Sequence, residues 1–199
     1  ILGRLVGSEM CIRDRLISYL LGSIPFGFLL TKFILKKDIR EIGSGNIGAT
    51  NVLRTGNKII GYSTLILDIL KAVIPILFIK MQFPEFIFIS SLAVFLGHVF
   101  PIWLKFNGGK GVATYVGILF CINYILGFFF IATWLVVFFI SKYSSLSSLL
   151  ASLIIPIYYF FIDTENYYFF IIMFILIFYT HRENIKRLKN NTESKTKIY

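Results

Sequence analysis

The run VATYVGILFCINYILGFFFIATWLVVFFI, Val112–Ile140, decides how many times this chain crosses a membrane. It exceeds the roughly 20 apolar residues that one membrane helix needs. Asn123 and Gly127 interrupt it. The run is therefore consistent with one long tilted helix or with two short ones, and the charges of the flanking loops select between these alternatives.

Five further runs are apolar enough to be candidate membrane helices. In chain order they are Leu16–Leu35, Ile59–Ile79, Phe86–Phe106, Leu146–Ile162 and Tyr167–Tyr179. Lys and Arg concentrate in cytoplasmic loops of membrane proteins. The basic segments are 36–58, 105–110 and the tail from residue 181, whereas the link 163–165 carries only acidic charges.

Two crossings by Val112–Ile140 place every basic segment on the same side of the membrane, whereas one crossing would not. The sequence therefore predicts an all-α, polytopic integral membrane protein. We expect about seven transmembrane helices, with the N-terminus outside and the C-terminus in the cytoplasm.

The overall composition agrees with this class. Hydrophobic residues make up 57% of the chain and charged residues 15%, against about 25% charged in ordinary globular proteins. A disordered chain and a water-soluble monomer are thereby excluded. The formal charge of +10 also suits nucleic-acid binding, but the positive charges lie between apolar runs and are better explained by membrane topology. Cys11 and Cys121 have neither metal-ligand spacing nor the pattern of a disulfide framework.

The segment DIREIGSGNIGATNVLRTGNK, Asp38–Lys58, contains the first candidate site. Its glycines alternate with short polar side chains that can donate hydrogen bonds to an anion. These are Ser44, Asn46, Thr50 and Asn51. Arg54 follows and can hold a phosphate through two parallel hydrogen bonds. A flexible linker is the alternative, but interleaved apolar residues such as Ile47 and Val52 favour a packed loop.

The segment LGHVFPIWLKFNGGKGVAT, Leu96–Thr114, contains the second candidate site. Gly108, Gly109 and Gly111 surround Lys110 directly before an apolar helix. The first-turn amides and the positive dipole end of that helix would then face the same place as the ammonium. A nucleotide-binding P-loop is not indicated, because the required Gly and Ser/Thr positions are absent. We predict anion binding; the alternative is a Gly-rich helix start whose Lys reflects topology alone.

The segment HRENIKRLK, His181–Lys189, contains the third candidate site. His181 and Asn184 are three residues apart and would share one face of a continuing helix. A histidine at the interface can donate a hydrogen bond or move a proton. A basic helix resting on anionic headgroups is the alternative.

Several other polar residues are predicted to serve the structure. Asp68 and Lys71 are three apart within the second apolar run, and we expect them to pair with each other. His98 is expected to be satisfied locally. Ser145 or Ser148 could face the loops, although serines at a helix start are usually caps.

Together the segments resemble the motifs of the bacterial acyl-phosphate-dependent glycerol-3-phosphate acyltransferase family. The matching text is GSIPFG with IGSGNIGATNVLR, then LGHVFP with FNGGKGVAT, then HRENIKRL, in this order between about Leu16 and Leu188. The resemblance implies a seven-helix enzyme of the bacterial inner membrane. Its reaction would transfer a fatty acyl group from acyl phosphate to the 1-position of glycerol 3-phosphate, in phospholipid synthesis.

By the same resemblance, six residues match the family's active-site positions: Ser44, Arg54, Lys110, Ser148, His181 and Asn184. We expect Asn46, Asn51 and the glycines of the second segment to contact substrate as well. We hypothesise that His181 and Asn184 orient the glycerol hydroxyl, while Arg54, Lys110 and the loop amides hold the phosphates.

We expect no cofactor and no metal. The expected partners are glycerol 3-phosphate, acyl phosphate and membrane lipid, without nucleic acid or an obligate protein partner.

Two alternatives use the same basic loops. An anion or phosphate transporter should carry polar residues along several spans, and few are present. A non-catalytic membrane subunit should tolerate substitution of Arg54 and Lys110. Along the chain, we expect a leader or assembly artefact at 1–15, the membrane acyltransferase domain at 16–188 and a cytoplasmic polar tail at 189–199.

Overall fold

A computed structural model describes residues 13–163 and 165–196 of the chain, so most of the expected leader lies outside the described residues. Within those ranges the regular secondary structure is helical throughout, with no strand. The all-α prediction is confirmed for this part of the chain. The chain divides into two compact units, of which the first runs to Ile122 and the second begins at Asn123.

The first unit contains six α-helices in its described part. They are α1 (Arg13–Gly22), α2 (Phe26–Ile34), α3 (Ala49–Leu53), α4 (Lys58–Gln82), α5 (Ile87–Val99) and α6 (Val112–Ile122). Short 3-10 turns lie at Ile39–Glu41, Pro84–Phe86 and Ile102–Leu104. The second unit contains α7 (Tyr124–Ser141), α8 (Ser144–Phe160), α9 (Tyr167–Thr180) and α10 (Arg182–Lys189).

The long apolar run Val112–Ile140 forms two helices, as the loop charges predicted. Asn123 separates α6 from α7 and has extended backbone, with φ −153°. Its side-chain oxygen accepts a hydrogen bond from the Ile125 amide at 2.9 Å. An N-cap of this kind satisfies an amide that has no partner in the first turn, so a new helix begins here.

Within the described residues, two helices are long and apolar enough to cross a membrane: Pro84–Leu104 and Tyr124–Ser141. The pair α1 and α2, bent by 42°, provides a third candidate if it is counted as one span. The apolar helices α6, α8 and α9 are shorter. These helices fit a membrane protein.

The first predicted span, Leu16–Leu35, is therefore bent instead of straight. Pro25 precedes α2 and lacks an amide hydrogen, so the helical hydrogen bonds are interrupted. The Ile24 carbonyl accepts a hydrogen bond from Nζ of Lys71 at 2.8 Å. The same Nζ lies 2.8 Å from Oδ1 of Asp68, which confirms the predicted pair. Lys71 thus satisfies a carbonyl that the bend exposes, because an unpaired carbonyl in lipid is costly.

Candidate active site

The loop between α2 and α4 is packed and not a flexible linker. A cluster of buried apolar side chains lies beneath it, formed by Ile39, Ile47, Val52, Ile60 and Leu104. Partly buried residues of α2, Phe28 and Leu30, pack against this cluster. The interleaved apolar residues therefore fix the loop that carries Ser44 and Arg54.

Asn51 organises this loop from within. Its side chain is only 3% exposed. Its Nδ2 donates to the carbonyls of Ile42 at 2.9 Å and Asn46 at 2.8 Å, and more weakly to that of Ile39 at 3.3 Å. Its Oδ1 accepts a hydrogen bond from the Ser44 amide at 2.9 Å. The sequence predicted that Asn51 contacts substrate. In the structure its side-chain amide is hydrogen-bonded to the loop backbone instead, and the position of Asn51 in the sequence did not indicate this role.

Replacing Asn51 with Ala should destabilise the protein by about 3 kcal/mol, because several buried backbone groups lose a partner worth about 1 kcal/mol each. The free energy of unfolding in detergent micelles measures this. The matched control is Asn57→Ala, which removes one N-cap bond to the Ile60 amide and should cost about 1 kcal/mol. Equal losses in the two variants would contradict the organising role.

Ser44 and Arg54 are brought to the same turn of the loop. Gly43 has φ +57°, a left-handed conformation that glycine adopts readily. A Cβ at Gly43 would lie 3.0 Å from Cδ of Arg54 and 3.4 Å from its Nη1, so the arginine side chain packs over this glycine. Asn46 accepts a hydrogen bond from the Gly48 amide through Oδ1 at 2.9 Å, just before α3. Its side-chain oxygen therefore shapes the loop.

In the second loop, two glycine amides that were expected to contact substrate have partners within the protein. The Gly108 amide donates to the Val99 carbonyl at 3.0 Å, and the Gly109 amide donates to the His98 carbonyl at 3.1 Å. These two amides, predicted to bind substrate, are used instead to pair the loop with the end of α5. The remaining backbone donors for an anion are those of the first turn of α6, which have no intrahelical partner. Lys110 is half-buried beside that turn.

His98 is a residue whose importance the sequence did not reveal. A Cβ at Gly109 would lie 2.7 Å from Cε1 of His98 and closer still to Nε2, so the ring occupies the space beside this glycine. Nδ1 of His98 has no hydrogen bond within the described residues, and lies 3.7 Å from Oδ1 of Asp68. The expectation that His98 is satisfied locally is therefore wrong. The ring instead links the buried Asp68–Lys71 pair to the glycine loop.

In the second unit, the chain does not continue as one helix through the third segment. Helix α9 ends at Thr180 and α10 begins at Arg182, with His181 between them. Nδ1 of His181 lies 2.8 Å from the Ile177 carbonyl. A carbonyl only accepts, so Nδ1 carries a hydrogen in this bond and Nε2 is the acceptor of the neutral ring.

Asn184 is held by the C-terminal tail, which folds back onto α8 and α10. Oε1 of Glu193 accepts hydrogen bonds from Nδ2 of Asn184 at 2.6 Å and from Oγ of Ser145 at 2.7 Å. Oε2 accepts one from Nε of Arg187 at 2.6 Å. Asn184 is 5% exposed, and its Oδ1 has no hydrogen-bond partner within the described residues. The tail thus engages Nδ2 of Asn184. It leaves Oδ1 of the same amide able to accept a hydrogen bond from another donor.

The Glu193 carboxylate is an ion in a partly buried site. Burial raises its pKa, but hydrogen bonds from Ser145, Arg187 and Asn184 together hold the pKa below its ordinary value of 4.5. The spacing of these residues along the sequence gave no signal for this cluster.

Replacing Glu193 with Gln should lower the melting temperature above about pH 4.5, where the native carboxylate is charged in both the folded and unfolded states. Because the folded-state pKa is depressed, the difference between the parent and the variant should shrink as the pH falls through that pKa. Melting curves over a pH series measure this. Glu165→Gln, at an exposed carboxylate before α9, is the control. A difference that is independent of pH would contradict this assignment.

Ser148 is buried, with 3% of its surface exposed. Its Oγ donates to the Ser144 carbonyl at 2.9 Å and accepts from Nε1 of Trp134 at 3.1 Å. The hydroxyl therefore joins α7 to α8. Among the residues that the structure describes, no three His, Cys, Asp or Glu side chains are grouped so that they could hold a metal ion.

Comparison with known proteins gives consistent matches over nearly the whole chain. The family described as glycerol-3-phosphate acyltransferase matches residues 15–191. The glycerol-3-phosphate acyltransferase of Pelagibacter ubique is 71% identical over 182 residues, which are 92% of this chain and 95% of the relative. That of Bradyrhizobium diazoefficiens is 48% identical over 181 residues, 90% and 91% of the two chains.

Solved structures agree in fold. The crystal structure of PlsY, an integral membrane glycerol 3-phosphate acyltransferase, in its glycerol 3-phosphate form gives a TM-score of 0.86 at 36% identity. It covers 94% of this chain and 95% of that one. The lysophosphatidic acid form of PlsY gives a TM-score of 0.84.

Proposed function

This chain belongs to the glycerol-3-phosphate acyltransferase family and is an acyltransferase of the membrane, and we propose that its acyl donor is acyl phosphate. The acceptor is the 1-hydroxyl of glycerol 3-phosphate, and the products are lysophosphatidic acid and inorganic phosphate. The match to a structure solved in forms with glycerol 3-phosphate and with lysophosphatidic acid, over 94% of this chain, supports this acceptor and this lipid product. The resemblance of the three motifs supports acyl phosphate as the donor.

The proposed topology has seven crossings, with the N-terminus outside and the C-terminus in the cytoplasm. The bent pair α1 and α2 supplies one crossing, and each of α4 to α9 supplies another. This arrangement places the basic segments on the cytoplasmic side, as the positive-inside rule requires. We assign the protein to the bacterial inner membrane, where both substrates' phosphates would meet the cytoplasmic face.

The chemistry requires little from the protein beyond binding and orientation. Acyl phosphate is a mixed anhydride and is already activated, so no covalent enzyme intermediate is needed. The hydroxyl oxygen attacks the acyl carbon, the bond from that carbon to the phosphate oxygen breaks, and inorganic phosphate leaves. The hydroxyl proton passes to His181 or to the departing phosphate.

In the first unit, the proposed role is to hold phosphate. Arg54 and Ser44 lie on one turn of a loop that is fixed by its own buried core. Lys110 stands directly before α6, whose first-turn amides and dipole favour an anion. Cationic and amide donors of this kind offset the repulsion between two phosphate-bearing substrates.

In the second unit, the proposed role is to orient the glycerol hydroxyl. Oδ1 of Asn184 is buried and lacks a hydrogen-bond partner among the described residues, so it can accept a hydrogen bond from a second hydroxyl of the glycerol group. The bond from Nδ1 of His181 to Ile177 fixes the ring and makes Nε2 the acceptor. Ser148 contributes through the position of α8.

His181→Ala should lower kcat about fivefold, because one orienting hydrogen bond contributes roughly 1 kcal/mol. KM for glycerol 3-phosphate should change little, since the phosphate contacts lie elsewhere. Steady-state kinetics in detergent measure both parameters, with His181→Gln as a variant that keeps a polar side chain. Full activity of His181→Ala would contradict the orienting role.

The function is tested with the purified protein in detergent. Phosphate release from palmitoyl phosphate is followed with and without glycerol 3-phosphate, and the lipid product is identified by mass spectrometry. We expect release that depends on glycerol 3-phosphate and a stoichiometric amount of lysophosphatidic acid. Lysophosphatidic acid that a folded protein forms only when palmitoyl-CoA replaces palmitoyl phosphate, with release of free coenzyme A, would show that the proposed donor is wrong.

A further inference from the structure

The first unit carries a groove that the proposed reaction does not use. Its volume is about 510 Å³. The lining residues come from α2, from the turn Ile39–Glu41 and from the segment after α5: Phe28, Lys32, Arg40, Trp103, Leu104, Lys105 and Asn107. Neither Ser44, Arg54 nor Lys110 is among them, so the groove is distinct from the proposed phosphate site.

The groove is strongly basic. Three of its lining residues are cationic, and none is acidic. The ammonium groups of Lys32 and Lys105 have no carboxylate within 4.0 Å in the described part of the chain. Asp38 lies near enough to Lys32 to interact with it electrostatically, but its carboxylate is paired with Arg40. The positive charges of Lys32 and Lys105 repel each other, and an anion between them would remove this repulsion.

Arg40 is held in a fixed orientation at this groove. Its Nη2 lies 2.6 Å from Oδ2 of Asp38, and its Nε lies 2.9 Å from Oδ1. The side-chain hydrogen bond from Arg40 lowers the pKa of Asp38 to about 2, so the pair stays ionised. The guanidinium carbon lies 4.8 Å from the ring centroid of Phe28, and Nζ of Lys32 lies 5.1 Å from the same centroid. Cation–π contacts thus anchor both cations on one ring.

Exposed apolar side chains flank the cations along the chain. Trp103 is 62% exposed. The neighbours of Lys32 and Lys105 that are also exposed are Phe33, Ile34, Ile102 and Phe106. In membrane proteins, Trp and cationic side chains together mark the level of the lipid headgroups. A ligand that suits this combination carries a phosphate beside apolar chains.

We propose that this groove binds the phosphate-bearing headgroup of an anionic membrane lipid. Lys32, Arg40 and Lys105 face the phosphate, and the exposed apolar residues face the acyl chains. A soluble phosphate ester shares the phosphate chemistry but would not use the apolar rim.

The two tryptophans of the chain, Trp103 and Trp134, make the proposal measurable. In a Trp134→Phe background, Trp103 is the fluorescent reporter within the groove. The full-length protein is placed in phosphatidylcholine vesicles that contain increasing fractions of phosphatidylglycerol brominated in its acyl chains. We expect this lipid to quench Trp103 at a much lower fraction than brominated phosphatidylcholine does. Equal quenching by the two lipids would overturn the proposal.

The variant Lys32→Gln with Lys105→Gln tests the cations. Each ammonium near an anionic headgroup contributes about fivefold in affinity, so the pair should weaken the preference for phosphatidylglycerol about twenty-five-fold. The matched control is Lys58→Gln with Lys189→Gln, which removes two exposed positive charges that do not line the groove. An equal loss in the control would assign the preference to surface charge in general and overturn the proposal.

A third arm distinguishes the two sources of phosphate. Millimolar inorganic phosphate is added to the parent protein with brominated phosphatidylglycerol, against sodium chloride of matched ionic strength. Unchanged quenching supports a lipid site. Displacement specific to phosphate would make this a site for soluble phosphate esters and overturn the lipid assignment. Because the readout is fluorescence, it is independent of whether the proposed acyl transfer is correct.

Discussion

Replacing Lys110 with Ala is expected to lower kcat/KM for glycerol 3-phosphate about a thousandfold, since removing one preorganised donor from a site of developing charge costs about a hundredfold to a thousandfold. The ammonium is half-buried at the start of α6, where the helix dipole also favours an anion. Without it, the phosphate at the start of α6 loses its nearest cation and must be held by the first-turn amides and the more distant Arg54 loop. Phosphate release from palmitoyl phosphate at varied glycerol 3-phosphate measures the effect.

The matched control for Lys110 is Lys58→Ala, which removes an exposed positive charge at the first residue of α4. Its effect on kcat/KM should be small, because an exposed charge is screened by solvent and salt. Lys110→Arg should recover part of the lost activity, since it keeps the charge but not the shape. If Lys110→Ala kept its activity within a few-fold of the parent, the second loop would not be part of the phosphate site.

Replacing Gly109 with Ala is expected to lower kcat/KM about a hundredfold, the usual size of the effect when a catalytic group moves by about 1 Å. The added methyl group would overlap the ring of His98, whose Cε1 would lie 2.7 Å away. Both groups are buried, so the loop must shift. Lys110 follows directly and would shift with it.

A double-mutant cycle separates this displacement from a general loss of stability. His98→Ala removes the ring that the new methyl group would meet. The double variant Gly109→Ala with His98→Ala should therefore be about as active as His98→Ala alone, because residues in direct contact are not additive. Losses that simply multiply in the double variant would show that the ring is not the obstacle. Melting temperatures of all three variants accompany the kinetics.

The sequence predicted the features whose signals are local. Asn123 inside an apolar run, together with the sign of the neighbouring loop charges, predicted two helices where the hydropathy alone permitted one. Asp68 and Lys71, three residues apart on a helix, predicted their own ion pair. The interleaved apolar residues predicted a packed loop between α2 and α4. The three motifs predicted the family, to which residues 15–191 match.

Other features depend on contacts between segments that are distant along the chain. Lys71 binds the carbonyl of Ile24, 47 residues away, and Ser145 binds Glu193, 48 residues away. The amides of Gly108 and Gly109 are engaged by the end of α5, about ten residues before them. Neither the composition nor the spacing of residues along the chain predicts such pairs.

The predicted and the unpredicted features differ because the first depend on neighbouring residues and the second on contacts between distant segments. Hydrophobic length, helix caps and loop charge act within a few residues and on the membrane as a solvent, so the sequence by itself determined an all-α membrane protein. The acyltransferase family followed from the resemblance of its three motifs. A glycine shows only that a Cβ is absent, and an asparagine shows only that an amide is present. What each of them contacts is decided when packed helices bring remote backbone groups within hydrogen-bond distance, and only the tertiary structure assigned Asn51 to the loop, His98 to Gly109 and Glu193 to Asn184.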